Sequence, residues 1–327
     1  MPTTRSFLAC GCGMLLAAFA GSAQAQATSF PTKTVRVVTA FPAGSGPDVA
    51  LRVVADRLAK KWGQPVIVDN RPGGNGFIAI ASIKAAAADG HELIQLDSNH
   101  LTTHPHTFSR LPYDAQKDLE PVRPLFRNNF FVVVAADSPY KSLDDIVAAA
   151  RANPGITYGS WFNGSPGHLG ALRLQRMKGV AMTHVPYKEM NQLYASVARR
   201  EVDWALGSAA SAGPLEKAGK LKFLAIAGPA RAKAYPQVPS VDDAPGTRGY
   251  EVAAWTGLFA PKGTPRVVRE RIAADVLDVL KQPEIVERYS GFGYEPFDAG
   301  PVAYADAIRR ETMAWGEVIK AANLKLD

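Results

Sequence analysis

Short apolar runs rich in β-branched residues alternate with amphipathic stretches along the chain from residue 34 onward. A continuous apolar run of this length, bounded by turn residues, predicts a buried strand. The predicted strands cover residues 34–41, 65–69, 92–97, 130–136, 156–160, 181–185, 202–206 and 221–227. The chain is therefore expected to contain at least these eight strands.

The stretches between the strands predict helices. In residues 48–62, Leu51, Val54, Leu58 and Trp62 recur at helical spacing and form one apolar face. Similar patterns predict helices at 142–152, 166–178, 191–199, 265–280 and 301–320. This alternation of strands and helices favours an α/β fold with mostly parallel sheets.

The length of 327 residues suggests two domains, at roughly 100–200 residues per domain. Extended segments at 127–131 and 250–255 are candidate crossovers between them. We therefore predict one lobe made of residues 28–128 and 254–327, and a second made of residues 129–253. Ligands of open α/β sheets bind beyond the carboxyl ends of strands, so the loops that follow strands are the places to examine.

The first 27 residues have the pattern of an export signal. Arg5 precedes an apolar stretch at 7–20, and Ala25 or Ala27 ends a small-x-small cleavage motif. Cys10 and Cys12 lie inside this segment, so the cleaved chain contains no cysteine. A lipoprotein acylated at one of these cysteines is the alternative, but it leaves too little room for an apolar stretch before them. We predict an exported, soluble protein of a bacterial periplasm.

Composition and charge exclude several classes of protein. The chain is 47% hydrophobic and 20% charged, as in a typical globular protein. Its formal charge of +7 falls by one when Arg5 is removed, and its basic residues are scattered without interleaved aromatics. This pattern disfavours nucleic acid as a partner and is compatible with an anionic ligand. A Walker-A loop, G-x-S-x-G, HExxH and CxxC are all absent from the sequence.

The loop at 41–48 joins the first strand to the first helix and could bind an anion. Its glycines leave backbone N–H groups accessible, and a helix N-terminus favours a carboxylate or phosphate. Ser45 and Asp48 have the spacing of a capping box. The alternative is an ordinary capped turn, in which the charge of Asp48 opposes an anion unless its side chain folds back on its own helix. The candidate contacts are Phe41, Pro42, Ala43, Gly44, Ser45 and Asp48.

A second loop of this kind lies at 160–168, again between a strand and a helix. Ser165 followed by Pro166 fits the rule for a helix start closely. Two such loops, far apart in sequence, predict two anion-binding ends that face one cleft. His168 fits a neutral capping or packing role better than that of a general base. The candidate contacts are Ser160, Trp161, Phe162, Asn163, Gly164, Ser165 and His168.

Two further loops place polar residues after strands. Asn75 lies in the loop at 70–76, whose G-x-G-x-x-A pattern is only loosely similar to a dinucleotide site and lacks the acidic residue such a site requires. Ser98 follows the third predicted strand. We take Asn75 and Ser98 as candidate ligand contacts and predict no cofactor.

Three histidines near this strand raise the question of a metal. His100, His104 and His106 could in principle hold zinc through neutral imidazoles. Pro105 breaks the helical spacing between the last two, and no further cysteine or run of carboxylates lies close in the sequence. A polar surface loop is the alternative that we favour, and we predict no metal site.

Several ordered motifs resemble one known family. They include FPAGSGPD at 41–48, DNRPG at 69–73, GSPGHL at 164–169, THVPYK at 183–188 and PKGTP at 261–265. Together they cover nearly the whole mature chain and resemble the receptors of tripartite tricarboxylate transporters, the Bug or TctC-type periplasmic binding proteins.

The resemblance implies a two-lobed Venus-flytrap receptor with a hinge, a monomer without catalytic residues. Such a receptor captures a small organic acid and delivers it to the permease subunits of its membrane transporter. Family members commonly hold a carboxylate through the loops that match 41–48 and 160–165. Two alternatives stay open: a ligand sensor for a membrane signalling partner, and a zinc- or serine-dependent periplasmic hydrolase.

The sequence departs from the family pattern mainly in the second lobe. Glu189 and Arg200 replace usual glycines, and Ser196 replaces a usual aspartate, which weakens any expectation of an amino-acid ligand. Trp161 and Phe162 stand where small residues are usual. Their rings either shape the pocket for a small, aromatic or apolar acid, or pack against their own lobe.

Overall fold

A computed structural model describes residues 30–161, 163–187 and 189–326 of the protein. The predicted signal segment at 1–27, with Cys10 and Cys12, lies outside the described residues, as does Phe162. Within the described ranges, no helix is long and apolar enough to cross a membrane.

The strands of the described ranges form two sheets. They are β1 (Val35–Thr39), β2 (Val66–Asn70), β3 (Glu92–Asp97), β4 (Leu119–Asn129), β5 (Phe131–Ala135), β6 (Thr157–Ser160), β7 (Thr183–Pro186), β8 (Trp204–Gly207), β9 (Leu221–Ile226), β10 (Ala253–Pro261) and β11 (Tyr294–Glu295). The first sheet has the order β11-β4-β10-β3-β1-β2 and the second has the order β7-β6-β8-β5-β9. All eight strands predicted from the sequence are present, with ends that agree within two residues.

The helices surround these sheets. They are α1 (Gly46–Trp62), α2 (Phe77–Lys84), α3 (Ser98–Thr102), α4 (His104–Thr107), α5 (Ala115–Asp118), α6 (Leu143–Ala152), α7 (Pro166–Lys178), α8 (Met190–Ala198), α9 (Ala209–Lys217), α10 (Arg266–Leu280), α11 (Pro283–Gly291) and α12 (Pro301–Ala321). The six predicted helices correspond to α1, α6, α7, α8, α10 and α12. The sequence pattern missed the other six. Helices α3, α4 and α5 have only four or five residues, too few to show a helical period, and α2, α9 and α11 have eight or nine.

The sheets are mixed, so the expectation of mostly parallel strands is wrong. Among the described strand pairs, four are parallel and five are antiparallel. The reason lies in the path of the chain, which leaves the first sheet along β4 and returns to it along β10. These two strands share the crossover between the sheets and pair side by side, so they run in opposite directions, with Ala253 opposite Asn129. The parallel strands are β2-β1-β3 in one sheet and β7-β6-β8 in the other.

The long strand β4 was not predicted because its sequence does not look like a strand. Pro121 and Pro124 cannot donate to a ladder, and such residues usually exclude a central strand. Here they are tolerated because β4 pairs along its length only with β10, with register shifts, and meets the short β11 only at Arg127 and Asn128.

Each sheet has its own core, which gives the molecule two lobes. The first sheet is covered on both faces. Val37 packs with α1 and α10, whereas its neighbour Val38 packs with α2 and α12, as the alternation of side chains along a strand requires. The second sheet has one large core around β5, β6 and β8. The boundaries after residues 128 and 253 remain a prediction.

Helix α12 connects the two lobes. Its Trp315, Val318 and Ile319 pack with Leu169 of α7, which belongs to the second lobe. On its other side, Thr312 donates to the backbone oxygen of Leu101 in the first lobe. The C-terminal helix therefore contacts both lobes.

Candidate functional site

The parallel half of each sheet carries the predicted ligand loops. The loop at 41–48 follows β1, the loop at 70–76 follows β2 and Ser98 follows β3, and these three strands are neighbours in one sheet. In the second sheet, the loop at 160–165 follows β6, whose neighbours are β7 and β8. Adjacent parallel strands end at the same edge of a sheet, so the fold gathers the candidate residues of each lobe at one edge.

Ser45 is the residue that precedes α1, as predicted, but its side chain does not cap the helix. Its backbone is extended, with φ −67° and ψ 157°, and its hydroxyl donates to the backbone oxygen of Pro42 at 2.7 Å. The predicted capping box is therefore wrong. Asp48 instead accepts the N–H of Gly44 at 2.8 Å, because Gly44 has a left-handed φ of 80° that directs its N–H towards the first turn.

Asp48 folds back into its own lobe. It is fully buried, and its carboxylate also accepts from Asn70 Nδ2 at 2.7 Å and from Arg52 Nε at 3.1 Å. Burial alone would raise the pKa of Asp48, but the hydrogen bonds from Arg52, Asn70 and Gly44 outweigh it and lower the pKa. The negative charge of Asp48 is thus matched by Arg52, and its hydrogen bonds hold the loop in place. Because Asp48 folds back on its own helix, its charge does not oppose an anion at this loop.

The second loop has the predicted helix start. Ser165 Oγ accepts the N–H of His168 at 3.3 Å, and Pro166 is the first residue of α7. Gly164 has a φ of 81°, and its N–H donates to His168 Nδ1 at 2.9 Å. An imidazole nitrogen that accepts a hydrogen bond is unprotonated, so His168 is neutral in this arrangement.

The two loops have the same local geometry, which the sequence analysis missed. In each, a left-handed glycine precedes the serine before the helix, and the third helical residue accepts the N–H of that glycine. The signal was present in the sequence as Gly-Ser-x-x-Asp at 44–48 and Gly-Ser-x-x-His at 164–168. The accepting group is a carboxylate in the first loop and a neutral imidazole in the second.

A stack of aromatic rings supports the second loop. His168 lies on His184 with ring centroids 4.1 Å apart, and His184 lies on Tyr158 at 4.9 Å. Burial, and then the charge of His184, lowers the pKa of His168 to about 4. Burial also lowers the pKa of His184, whose Nε2 is 2.8 Å from Ser160 Oγ. His184 is a site residue that the sequence analysis did not single out.

Trp161 packs within the second lobe. Its side chain is buried and stacks on Phe130 with centroids 5.7 Å apart. A Cβ at Gly167 would lie 2.9 Å from the indole ring, so the glycine makes room for it. This favours the packing alternative for Trp161. Of the rest of the loop, Asn163 is exposed, and Gly164 is buried close to Leu326 near the C-terminus.

The remaining candidates in the first lobe, Asn75 and Ser98, lie near the contact between the partly exposed Asp97 and the buried His100. Asn75 is exposed with a left-handed φ of 53°, and Ser98 is buried at the start of α3. Asp97 caps α3 and contacts His100 Nδ1 at 2.7 Å, which raises the pKa of His100 against the effect of burial. A Cβ at Gly76 would lie 2.1 Å from His100 Nε2, so only glycine fits there.

The three candidate zinc histidines each contact a different partner within the protein. His104 Nδ1 contacts Tyr113 Oη at 3.2 Å, and burial together with the charge of His100 lowers the pKa of His104 to about 4. His106 Nε2 contacts the backbone oxygen of Thr312 on α12 at 2.9 Å. Among the residues that the structure describes, no group of three or more His, Cys, Asp or Glu could hold a metal ion.

The two loop serines should differ in their effect on stability. Ser165→Ala removes a helix cap and is expected to lower the free energy of unfolding by about 1 kcal/mol. Ser45→Ala, at the equivalent position of α1, should change it by less than about 0.5 kcal/mol because its hydroxyl does not cap. Urea unfolding followed by circular dichroism measures both, and equal losses would contradict the assignment of the cap.

Comparison with known proteins identifies the family. The family model described as "Tripartite tricarboxylate transporter family receptor" matches residues 50–324. A UPF0065 protein from the tcbD-tcbE intergenic region of a Pseudomonas species is 31% identical over 309 residues, or 94% of this chain and 92% of the relative.

Two solved structures extend the comparison. MatC from Rhodopseudomonas palustris, with bound malate, has 30% identity and a TM-score of 0.72, covering 89% of this chain and 100% of its own. An R. palustris protein with adipate has 29% identity and a TM-score of 0.76, covering 90% and 99%. The resemblance of the motifs is thereby confirmed, and this two-lobed chain belongs to the tripartite tricarboxylate transporter receptors, a family of periplasmic solute-binding proteins.

Proposed function

We propose that this receptor captures a small organic dicarboxylate between its lobes and delivers it to the permease subunits of a tripartite transporter. The observation that carries the proposal is the pair of equivalent helix starts, one in each lobe, at Gly44–Ser45 and Gly164–Ser165. The N–H groups of Gly46, Asp48 and Gly167 have no acceptor among the described residues. Free N–H groups at the starts of α1 and α7 suit one carboxylate at each end of a ligand.

The ligand class follows from the relatives. The two R. palustris proteins hold malate and adipate, and both acids carry a carboxylate at each end. In this chain, the neutral His168 adds no negative charge beside the second helix start, and the charge of Asp48 at the first is matched by Arg52. Both starts are therefore compatible with a carboxylate.

Closure of the lobes around the ligand belongs to the same proposal. One lobe consists of residues 28–128 plus 254–327, and the other of residues 129–253. The hinge is then formed by the two chain crossings, one at Phe130 between β4 and β5 and the other just before β10.

We further propose export by cleavage after Ala25 or Ala27 and function as a monomer. Intact mass and size-exclusion chromatography of periplasmic protein test these points.

Isothermal titration with malate and adipate tests the function. Ser165 is fully buried, but its oxygen accepts from His168 and its hydroxyl has no acceptor among the described residues, whereas the hydroxyl of Ser45 donates to Pro42. Ser165→Ala should therefore weaken binding by about 10- to 100-fold, the cost of one hydrogen bond to a charged group. Ser45→Ala is the matched control and should bind nearly as the native protein.

Failure to bind any acid in a panel of mono-, di- and tricarboxylates would refute the proposed function. Normal binding by Ser165→Ala would instead refute only the role of that hydroxyl.

A hydrolase is the second candidate, since Ser160 Oγ and His184 Nε2 are 2.8 Å apart. One feature disfavours it: burial is the only cause that lowers the pKa of His184, so no carboxylate of the described residues acts on this ring as it would in a catalytic triad. Release of nitrophenol from p-nitrophenyl acetate by the native protein, abolished in Ser160→Ala, would favour the hydrolase over the receptor.

A further inference from the structure

A separate cavity of about 260 Å³ lies between the lobes, away from the predicted ligand loops. Its walls come from β4, α10, α11 and β11 of the first lobe, and from β5 and residues 232–235 of the second. None of the described candidate residues of the ligand site lines it. It is therefore a site of its own.

The walls of this cavity are mainly apolar. Leu125, Leu277 and Leu280 line one side, and Phe131 and Tyr235 line the other. The rings of Phe131 and Tyr235 pack edge to face against each other, with centroids 5.2 Å apart. An apolar cavity of this kind favours a ligand with a hydrocarbon body.

One buried cation lies among these apolar walls. The Arg123 side chain is 5% exposed, and its Nη2 pairs with Asp298, which is 64% exposed. Its Nη1 makes only a long contact of 3.4 Å to the backbone oxygen of Ala273. Its Nε is buried and has no partner among the described residues. Burial lowers the pKa of Arg123, although Asp298 opposes this effect.

An unpaired donor on a buried guanidinium is unfavourable, since a buried polar group without a partner loses its hydration without compensation. A negatively charged ligand that reaches this guanidinium from the cavity would offset part of this penalty. Lys233 and Lys281 also line the cavity and are exposed, so its lining holds three basic side chains and two acidic ones, Asp298 and Glu295. Glu295 is already paired with Asn129 Nδ2 at 2.6 Å. The acceptor that fits best is thus a carboxylate.

We propose that this cavity is a second binding site, which takes a small amphipathic monocarboxylic acid with its carboxylate on the Arg123 guanidinium and its hydrocarbon body among the apolar walls. A cavity of 150 Å³ holds benzene, so about 260 Å³ suits an acid of about six to eight carbons. Such a ligand differs from the dicarboxylate of the proposed function because the walls of this cavity are mainly apolar.

Octanoate and its neutral analogue 1-octanol are the probes. Isothermal titration of the native protein should show octanoate binding, and octanol should bind at least about 10-fold more weakly because it brings no charge to Arg123. Arg123→Leu should weaken octanoate binding by about 10-fold or more. Arg266→Leu, an arginine 75% exposed on α10 that does not line the cavity, is the matched control and should bind octanoate as the native protein does.

A second variant fills the cavity from its surface. Ala234 lines the cavity and is exposed, so Ala234→Trp should fold and should abolish octanoate binding even if Arg123→Leu fails to fold. Ser165→Ala should bind octanoate normally, which separates this site from the dicarboxylate site. The proposal is overturned if octanoate does not bind the native protein, if octanol binds as tightly, or if Ala234→Trp binds octanoate unchanged.

Discussion

Replacing Asp48 by alanine is expected to lower the free energy of unfolding by about 2–4 kcal/mol. The fully buried carboxylate accepts from Gly44 N–H, Asn70 Nδ2 and Arg52 Nε. Alanine would leave the amide and the backbone N–H without an acceptor in a site that water enters poorly. The left-handed turn at Gly44 would also lose its anchor, so the start of α1 should become less ordered.

Asp56→Ala is the matched control, because Asp56 is an exposed aspartate on the same helix. It should change the free energy of unfolding by less than about 0.5 kcal/mol. Asp48→Asn should fall between the two, since an amide oxygen can still accept but carries no charge for Arg52. Urea unfolding at neutral pH measures all three. A loss of under about 1 kcal/mol in Asp48→Ala would show that the loop is held by other contacts.

The sequence predicted the elements that follow local patterns and missed those that depend on partners. Buried strands such as β3 and β5 are continuous apolar runs, so their burial is visible in the residues themselves. Strand β4 carries two prolines and an arginine in its first half, and it exists because β10 returns beside it. Nothing in the local sequence of β4 contains that information.

The candidate site likewise combines features that local sequence predicts with features that depend on distant partners. Helix starts at Ser45 and Ser165 were predicted because capping residues lie next to the helices that they begin. The stack of His168 on His184 was not, because it depends on the parallel pairing of β6 and β7, which sets Tyr158 opposite His184. The hydrogen-bond donor to Asp48 was also predicted wrongly. In a capping box Asp48 would accept the N–H of Ser45, whereas in the structure it accepts the N–H of the preceding residue, Gly44.

The second loop should be sensitive to acid in a way that the first is not. His168 can accept the N–H of Gly164 only while its Nδ1 is unprotonated. Burial and the charge of His184 lower its pKa from 6.5 to about 4, so the unfolded chain binds this proton more readily than the folded chain. The stability contributed by neutral His168 is thus fully present above pH 6.5 and is lost as the pH falls towards 4. Between pH 7.5 and 4.5 this loss should amount to about 2–3 kcal/mol.

His168→Asn isolates that contribution, because the asparagine Oδ1 is bonded to Cγ as Nδ1 is, so it can accept from Gly164 but does not titrate. Other histidines also titrate: the pKa of His104 is lowered to about 4 and that of His184 is lowered, whereas that of His100 is raised. The decisive quantity is therefore the difference between native protein and variant in urea unfolding at pH 7.5 and pH 4.5. The native protein should lose about 2–3 kcal/mol more than His168→Asn over this range. Equal losses would mean that His168 takes up its proton without releasing Gly164, and the second helix start would then remain formed in acid.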